Sequence, residues 1–218
     1  VTTDTLAHPE TAHSDARIDN AGKRERTKLA NRAAILEAAR GVFADLGYEA
    51  TTVRDIIRGT DLASGTFYNY FKSKEEVFHA LHDESVVRIR PLLRAARSEA
   101  KDFADFIYRS FHAFFTFVSS PESLAVVEMR SPDRTRVRFE TPESLALFDE
   151  LRADVKAMIA DGAAPGIDPD FLAAAAYGMA QEIADQMKAR NPPDIEFAAS
   201  FATTMVLGGL ERLTRSPN

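Results

Sequence analysis

Thr51–Glu76 reads Thr-Thr-Val-Arg-Asp-Ile-Ile-Arg-Gly-Thr-Asp-Leu-Ala-Ser-Gly-Thr-Phe-Tyr-Asn-Tyr-Phe-Lys-Ser-Lys-Glu-Glu, and its apolar and capping positions decide the fold. Thr52 stands just before Val53, Ile56 and Ile57, where its hydroxyl can cap a helix, and Asp55 favours the positive end of that helix's dipole. Gly59-Thr60-Asp61 breaks the pattern. A second helix is expected from about Ser64, carrying Phe67 and Phe71 inward at i, i+4, so that Thr66, Tyr68, Asn69 and Tyr70 project elsewhere. Ser73 with Glu76 makes a capping box, so a third helix starts just after the second stops. This is the outline of a helix-turn-helix. An inert hairpin would more often fill its solvated face with Glu, Lys and Gln. Small and aromatic hydroxyl groups beside Lys72 and Lys74 suit phosphate oxygens and base edges instead.

The run from Lys28 to Phe78 places Gly47-Tyr48 before Thr51-Thr52, then Gly65-Thr66-Phe67-Tyr68-Asn69-Tyr70-Phe71 and Ser73-Lys74-Glu75-Glu76. In this it resembles the DNA-binding domain of the tetracycline-repressor (TetR) family, over about a quarter of the chain. The resemblance implies an all-α protein, with an N-terminal three-helix DNA-binding domain and a C-terminal helical domain for ligand binding and dimerisation. It further implies a cytoplasmic homodimer that represses from a palindromic double-stranded DNA operator until a small apolar effector releases it, with no cofactor. Carried over by position, Gly65 and Thr66 approach bases, Thr52, Tyr68, Tyr70 and Lys74 grip phosphates, and Asn69 does either; Thr51, Arg54 and Ser64 join that surface. Asp61 stands where the family usually has Gly, and Ala63 where it has a capping Ser, which leaves Ser64 to cap the recognition helix or to contact DNA.

The 218 residues are 45% hydrophobic, ample for a buried core, and contain no cysteine, so disulfides and thiolate metal sites are excluded. No apolar run reaches the length of a membrane helix, and the expectation is a soluble, intracellular protein with no membrane partner. A net charge of -6 looks wrong for a DNA binder until it is divided. Residues 21–74 hold ten Lys and Arg against six Asp and Glu, a net +4, which leaves -10 for the remainder. Nucleic acid responds to local potential, so a basic module on an acidic body is coherent.

Residues 1–22 lack apolar periodicity and read as a disordered tail ahead of the basic cluster Lys23, Arg24 and Arg26, an arm able to reach phosphates or a minor groove. A DNA-binding domain over 23–72 and a body over 73–218 follow. From about Thr27 to Leu46, apolar residues at three and four bury one helical face, Gly47 stops the helix, and Ile35, Ala39, Phe43, Ile56, Phe67 and Phe71 should form the small core. The helix from Lys74 meets Pro91, where a bend is expected. His79, His82 and Asp83 on it can be drawn as metal ligands, but helical His beside acids more often lies on a solvated face, and no metal is expected.

Asp102 to Ser119 carries Phe103, Phe106, Tyr108, Phe111, Phe114, Phe115 and Phe117, a helix apolar on more than one face and so central to the body. It either walls an effector pocket or packs solid. The expected pocket residues are Phe106, Tyr108, Phe111, His112, Phe115, Met129, Phe148 and Tyr177, with Tyr108 and His112 as its polar groups. The loop with Arg130, Arg134, Arg136 and Arg138 is either a solvated connection or a holder for an anionic head such as that of a fatty acid or acyl-coenzyme A. Thr141-Pro142 and Asp168-Pro169 each open a helix, and a last one spans about Asp194 to Leu213. Small and large apolar residues on the final two, Ala174, Tyr177, Gly178, Phe197, Phe201, Met205 and Gly208, suit a twofold four-helix interface. No phosphate loop, metal-ligand set or nucleophile elbow is legible, which lowers the prior for an enzyme; the rival is a helical ligand-binding protein or enzyme with a vestigial hairpin.

Overall fold

A computed structural model describes residues 10–120, 123 and 141–215, with side chains described from Gly22 onward. Among these the chain is all helical: α1 Glu10–Leu46, α2 Val53–Arg58, α3 Ser64–Phe67, α4 Lys74–Ser98, α5 Phe103–Val118, α6 Pro142–Ala160, α7 Pro169–Lys188 and α8 Ile195–Arg215. α1 begins well before Thr27. Its first turns mix Ala12, Ala16, Arg17 and Ala21 with Ser, Asp and Asn and carry no apolar stripe, so periodicity could not reveal them. The disordered tail expected over 1–22 is therefore corrected from Glu10 onward, and residues 1–9 lie outside the described residues. α1 stops at Gly47, whose φ of 76° lies in the left-handed region that only glycine enters without strain.

The six expected head-core residues are all buried, together with Leu36 from α1 and Val77, Phe78 and Leu81 from α4. Thr52 caps α2 and Asp55 returns the bond to the Thr52 backbone, a complete capping box. At the end of α2, a Cβ on Gly59 would lie 3.0 Å from the Ala38 Cβ, so glycine lets α2 press against α1. Ser73 caps α4, but Glu76 accepts from the Lys72 amide at 2.6 Å rather than from Ser73, so the expected box closes one residue early. α4 continues through the exposed Pro91 to Ser98.

The body is built around α5, which packs against α4, α7 and α8. Phe103, Phe106, Phe111, Phe114, Phe115 and Phe117 are buried, and the Phe111 and Phe115 rings stack with centroids 5.9 Å apart. Asp102, Thr141 and Asp168 cap α5, α6 and α7, and Pro142 and Pro169 take first-turn positions where no amide hydrogen is needed. α4 and α6 are tied by charge. Glu150 of α6 accepts from Arg90 and, at 2.8 Å, from Arg94; these bonds, that from Arg90 foremost, hold its carboxyl below the usual range.

Candidate nucleic-acid interface and effector cavity

The buried rings of Phe67 and Phe71 anchor the α3 turn to the head core and fix what it presents outward. Tyr68 is 60% exposed, touching the Phe67 ring edge-on at 5.4 Å, and Ser64, Gly65 and Asn69 are exposed beside it, with Thr66 half-buried. A Cβ on Gly65 would meet nothing within 4 Å. Packing does not demand glycine there, and its smallness leaves the face open to close approach. Helical turns continue past Phe67, since Tyr70 and Phe71 both donate to the Phe67 carbonyl, at 2.9 and 3.0 Å. Ala63 occupies the capping position with no side-chain bond, so Ser64 is the first helical residue and not the cap.

Three residues expected on this surface point elsewhere. Thr51 is 1% exposed and donates to the Gly47 carbonyl at 2.7 Å, holding the α1–α2 loop. Tyr70 turns its half-buried ring toward α1, where its hydroxyl accepts from Asn31 at 3.2 Å. Lys74 donates to the carbonyls of Tyr48, Glu49 and Thr51 at 2.9, 3.2 and 3.0 Å and lies over the Tyr48 ring, so its three protons are used inside the head. The pattern that suggested phosphate contacts did not show that the loop before α2 ends in carbonyls needing a donor. Thr52 and Arg54 are exposed, although the Thr52 hydroxyl is committed to Asp55, whose carboxyl it draws below its ordinary range. Lys23, Arg24 and Arg26 are exposed on α1, on helical turns rather than an extended arm.

In the body, α4, α5, α6 and α7 enclose an apolar cavity of about 90 Å³. Phe111, Phe148 and Tyr177 line it as expected, with the Phe148 and Tyr177 rings edge-on at 6.3 Å. Phe106 and Phe115 do not; they are buried in the core beside it. Tyr108 and His112 face the opposite way, both bonded to Glu196 of α8, at 2.5 and 2.9 Å, because the polar strip of α5 is its solvent side. Met129 and the four loop arginines lie outside the described residues.

The sequence reading missed the α4 stripe His82, Val86, Ile89, Leu93 and Arg97, which forms one wall. Its helical spacing was visible; that it faced a cavity rather than solid core was not. His82 is 5% exposed, which corrects its assignment to a solvated face, and burial pushes its ring below the ordinary histidine value. Among the described residues no cluster of His, Asp and Glu is arranged to hold a metal.

On α8, Phe197, Phe201, Met205 and Gly208 are exposed at helical spacing, and Phe201 is 49% exposed. On α7, Ala174 and Tyr177 are exposed and Gly178 half-buried. These large rings along one helix face are in contact with water.

A helix-turn-helix with an open outer face, carried on a helical body with an apolar cavity, defines a DNA-binding transcriptional regulator. Residues 35–81 match the family model for bacterial regulatory proteins, tetR family. The chain is 23% identical over 180 residues to the uncharacterized HTH-type transcriptional regulator YhgD of Bacillus subtilis, covering 81% of this chain and 94% of that protein. It is 48% identical over 50 residues to the HTH-type transcriptional repressor KstR2 of Mycobacterium tuberculosis, a match spanning 23% of this chain and only 25% of that protein. Its fold superposes with a TM-score of 0.61 on FadR of Bacillus subtilis in complex with stearoyl-CoA, at 19% identity, covering 85% of this chain and 99% of that one. Residues 35–81 thus match the DNA-binding region of tetR-family regulators. No described helix is long and apolar enough to cross a membrane.

Proposed function

We propose that the chain is a cytoplasmic, non-enzymatic repressor that binds a palindromic operator as a homodimer and leaves it when an apolar effector enters the body. The observation that carries this is the α3 turn, with Phe67 and Phe71 inside and Ser64, Gly65, Tyr68 and Asn69 outside. The head is assigned to residues 23–72 and the body to 73–218. Gly65 and Thr66 approach bases, Asn69 reaches bases or phosphates, and Thr52, Arg54, Tyr68, Lys23, Arg24 and Arg26 supply backbone contacts. Ala174, Tyr177, Gly178, Phe197, Phe201, Met205 and Gly208 supply the interface, which sets the two recognition helices about 34 Å apart to enter successive major grooves.

Two features support a chain-like apolar effector: the cavity wall, and the stearoyl-CoA bound by the structurally similar FadR. Ligand pockets typically run to about 300–1,000 Å³, so a long chain would have to widen a cavity of about 90 Å³ to enter it. A mobility-shift titration with DNA from upstream of the gene, at several salt concentrations, tests the reading. Sequence-selective binding by a dimer is expected; binding without sequence preference, or by a monomer, would refute it.

A further inference from the structure

The α4 stripe from His82 to Arg97 gives the cavity its shape. At 1.5 Å per residue it extends about 22 Å along the helix. A void of about 90 Å³ spread along so long a wall would be a narrow slot, better suited to an unbranched chain than to fused rings.

Its two ends differ in charge. Arg97 is 7% exposed, yet its Nε lies 3.2 Å from Asp154 Oδ2 and its Nη2 has no hydrogen-bond partner among the described residues. Asp154 is itself 44% exposed and so shared with water. Arg90 and Arg94 are both taken by Glu150, so within ion-pair distance, among the described residues, these three guanidinium groups of α4 face two carboxylates, with Glu143 acting on Arg90 from further away. Burial lowers the Arg97 pKa and Asp154 opposes that, but a guanidinium stays charged at any pH the fold survives. At the other end His82 is held toward its neutral form by burial.

We propose that the slot takes a linear carboxylic acid, its carboxylate on the Arg97 fork and its alkyl chain running along α4 toward His82. This rests on the reading of the body as the effector domain. A carboxylate fits because it accepts two parallel bonds from a guanidinium, completing a buried donor and cancelling the surplus charge. An alcohol of the same length brings the same apolar surface and can accept one bond from the guanidinium, but supplies neither the second parallel bond nor the negative charge.

The test is calorimetric titration of the purified full chain with decanoate and with decanol, alongside operator binding by the same samples. Wild type is expected to bind decanoate at least tenfold more tightly than decanol. Arg97→Met keeps an unbranched side chain in place, and a buried ion replaced by an apolar residue is often tolerated; it should bind acid and alcohol alike. Asp154→Asn removes the competing carboxylate and should tighten decanoate several-fold, a readout that does not depend on Arg97→Met folding. Equal binding of acid and alcohol by wild type, an acid preference that survives in Arg97→Met, or no gain in Asp154→Asn would overturn the proposal. Operator binding without acid preference overturns this inference alone; decanoate binding without operator binding overturns the regulator reading alone.

Discussion

Lys74→Met is expected to lower the melting temperature and leave the salt dependence of operator binding unchanged. The Lys74 ammonium donates to three carbonyls at 2.9, 3.2 and 3.0 Å and sits 4.5 Å from the centre of the Tyr48 ring. A hydrogen bond from a charged group contributes about 1.5–3 kcal/mol when buried. Here the side chain is half-buried and Glu49 is exposed, so water can take up part of the loss, and one ammonium's desolvation is set against all three bonds. The net is about 2 kcal/mol, not three full bonds. For a chain of this length that corresponds to a fall in Tm of about 4–8 °C. Met keeps the stem against Tyr48, so the loss reports the charge. Calorimetry reads the stability, and fluorescence anisotropy of a labelled operator at several salt concentrations reads the contact. A lysine on a phosphate contributes about 0.9 per head to the slope of log K against log salt, whereas one held by the loop contributes none. A slope reduced by that amount with an unchanged Tm would refute the structural role and return Lys74 to the DNA surface.

Tyr68→Phe should weaken operator binding about tenfold per head and so about a hundredfold for the dimer at fixed salt, the loss of one bond to a charged acceptor in each head, with Tm unchanged because the hydroxyl is outside the fold; undiminished affinity counts against the α3 surface. Glu150→Gln should cost about 1 kcal/mol at neutral pH and flatten the acid limb of stability. The folded carboxyl is held below its ordinary value by Arg90 and Arg94, so its contribution is present above about pH 4.5 and is lost as pH falls through the folded pKa. Melting curves from about pH 7 down to about pH 2.5 read this, and a variant that keeps the wild-type slope contradicts it. Phe201→Glu places a charge on the exposed α8 face and should convert a dimer to a species of 24.1 kDa in light scattering, with loss of operator binding; a mass that stays doubled moves the interface elsewhere.

The head was legible because its signals are local. Phe67 and Phe71 at i, i+4, the Thr52 cap and Gly47 each fix a short stretch of backbone, and each stands as read. Its failures came from partners distant in sequence: Lys74 is committed to carbonyls more than twenty residues away, and Tyr70 to Asn31 on α1. The body repeats this. Aromatic density identified α5 as central, but apolar spacing does not distinguish a residue facing a void from one facing another side chain, so Phe106 and Phe115 were confused with pocket walls. His82 was placed on a solvated face and Arg97 was not singled out, because a titratable residue on a helix is usually solvated, and only the packing of α5, α6 and α7 buries them. The tail failed differently: a helix without an apolar face leaves no periodic trace.

α4 is the one element, among the described residues, that belongs to both cores: Val77, Phe78 and Leu81 are buried with α1, α2 and α3, and Ile89 and Leu93 with the body. Between them His82 and Val86 line the cavity. Close-packed interiors do not stretch continuously, so widening the slot requires a helix to shift. Of the four helices around it, α4 alone carries the head, and Glu84 ties it to α1 through Arg32 and Arg40, at 3.7 and 3.2 Å. A displaced α4 would take the recognition turn with it. The ligand drives this only through its preference for the open placement. Moving the population from 99:1 to 1:99 takes about 5.5 kcal/mol of differential affinity. At about 0.8 kcal/mol per buried methylene, that is about seven methylenes buried in the open state and excluded from the closed one. Such a length fits a wall of about 22 Å, so on the proposed reading chain length itself would set whether an effector releases DNA or merely occupies the site.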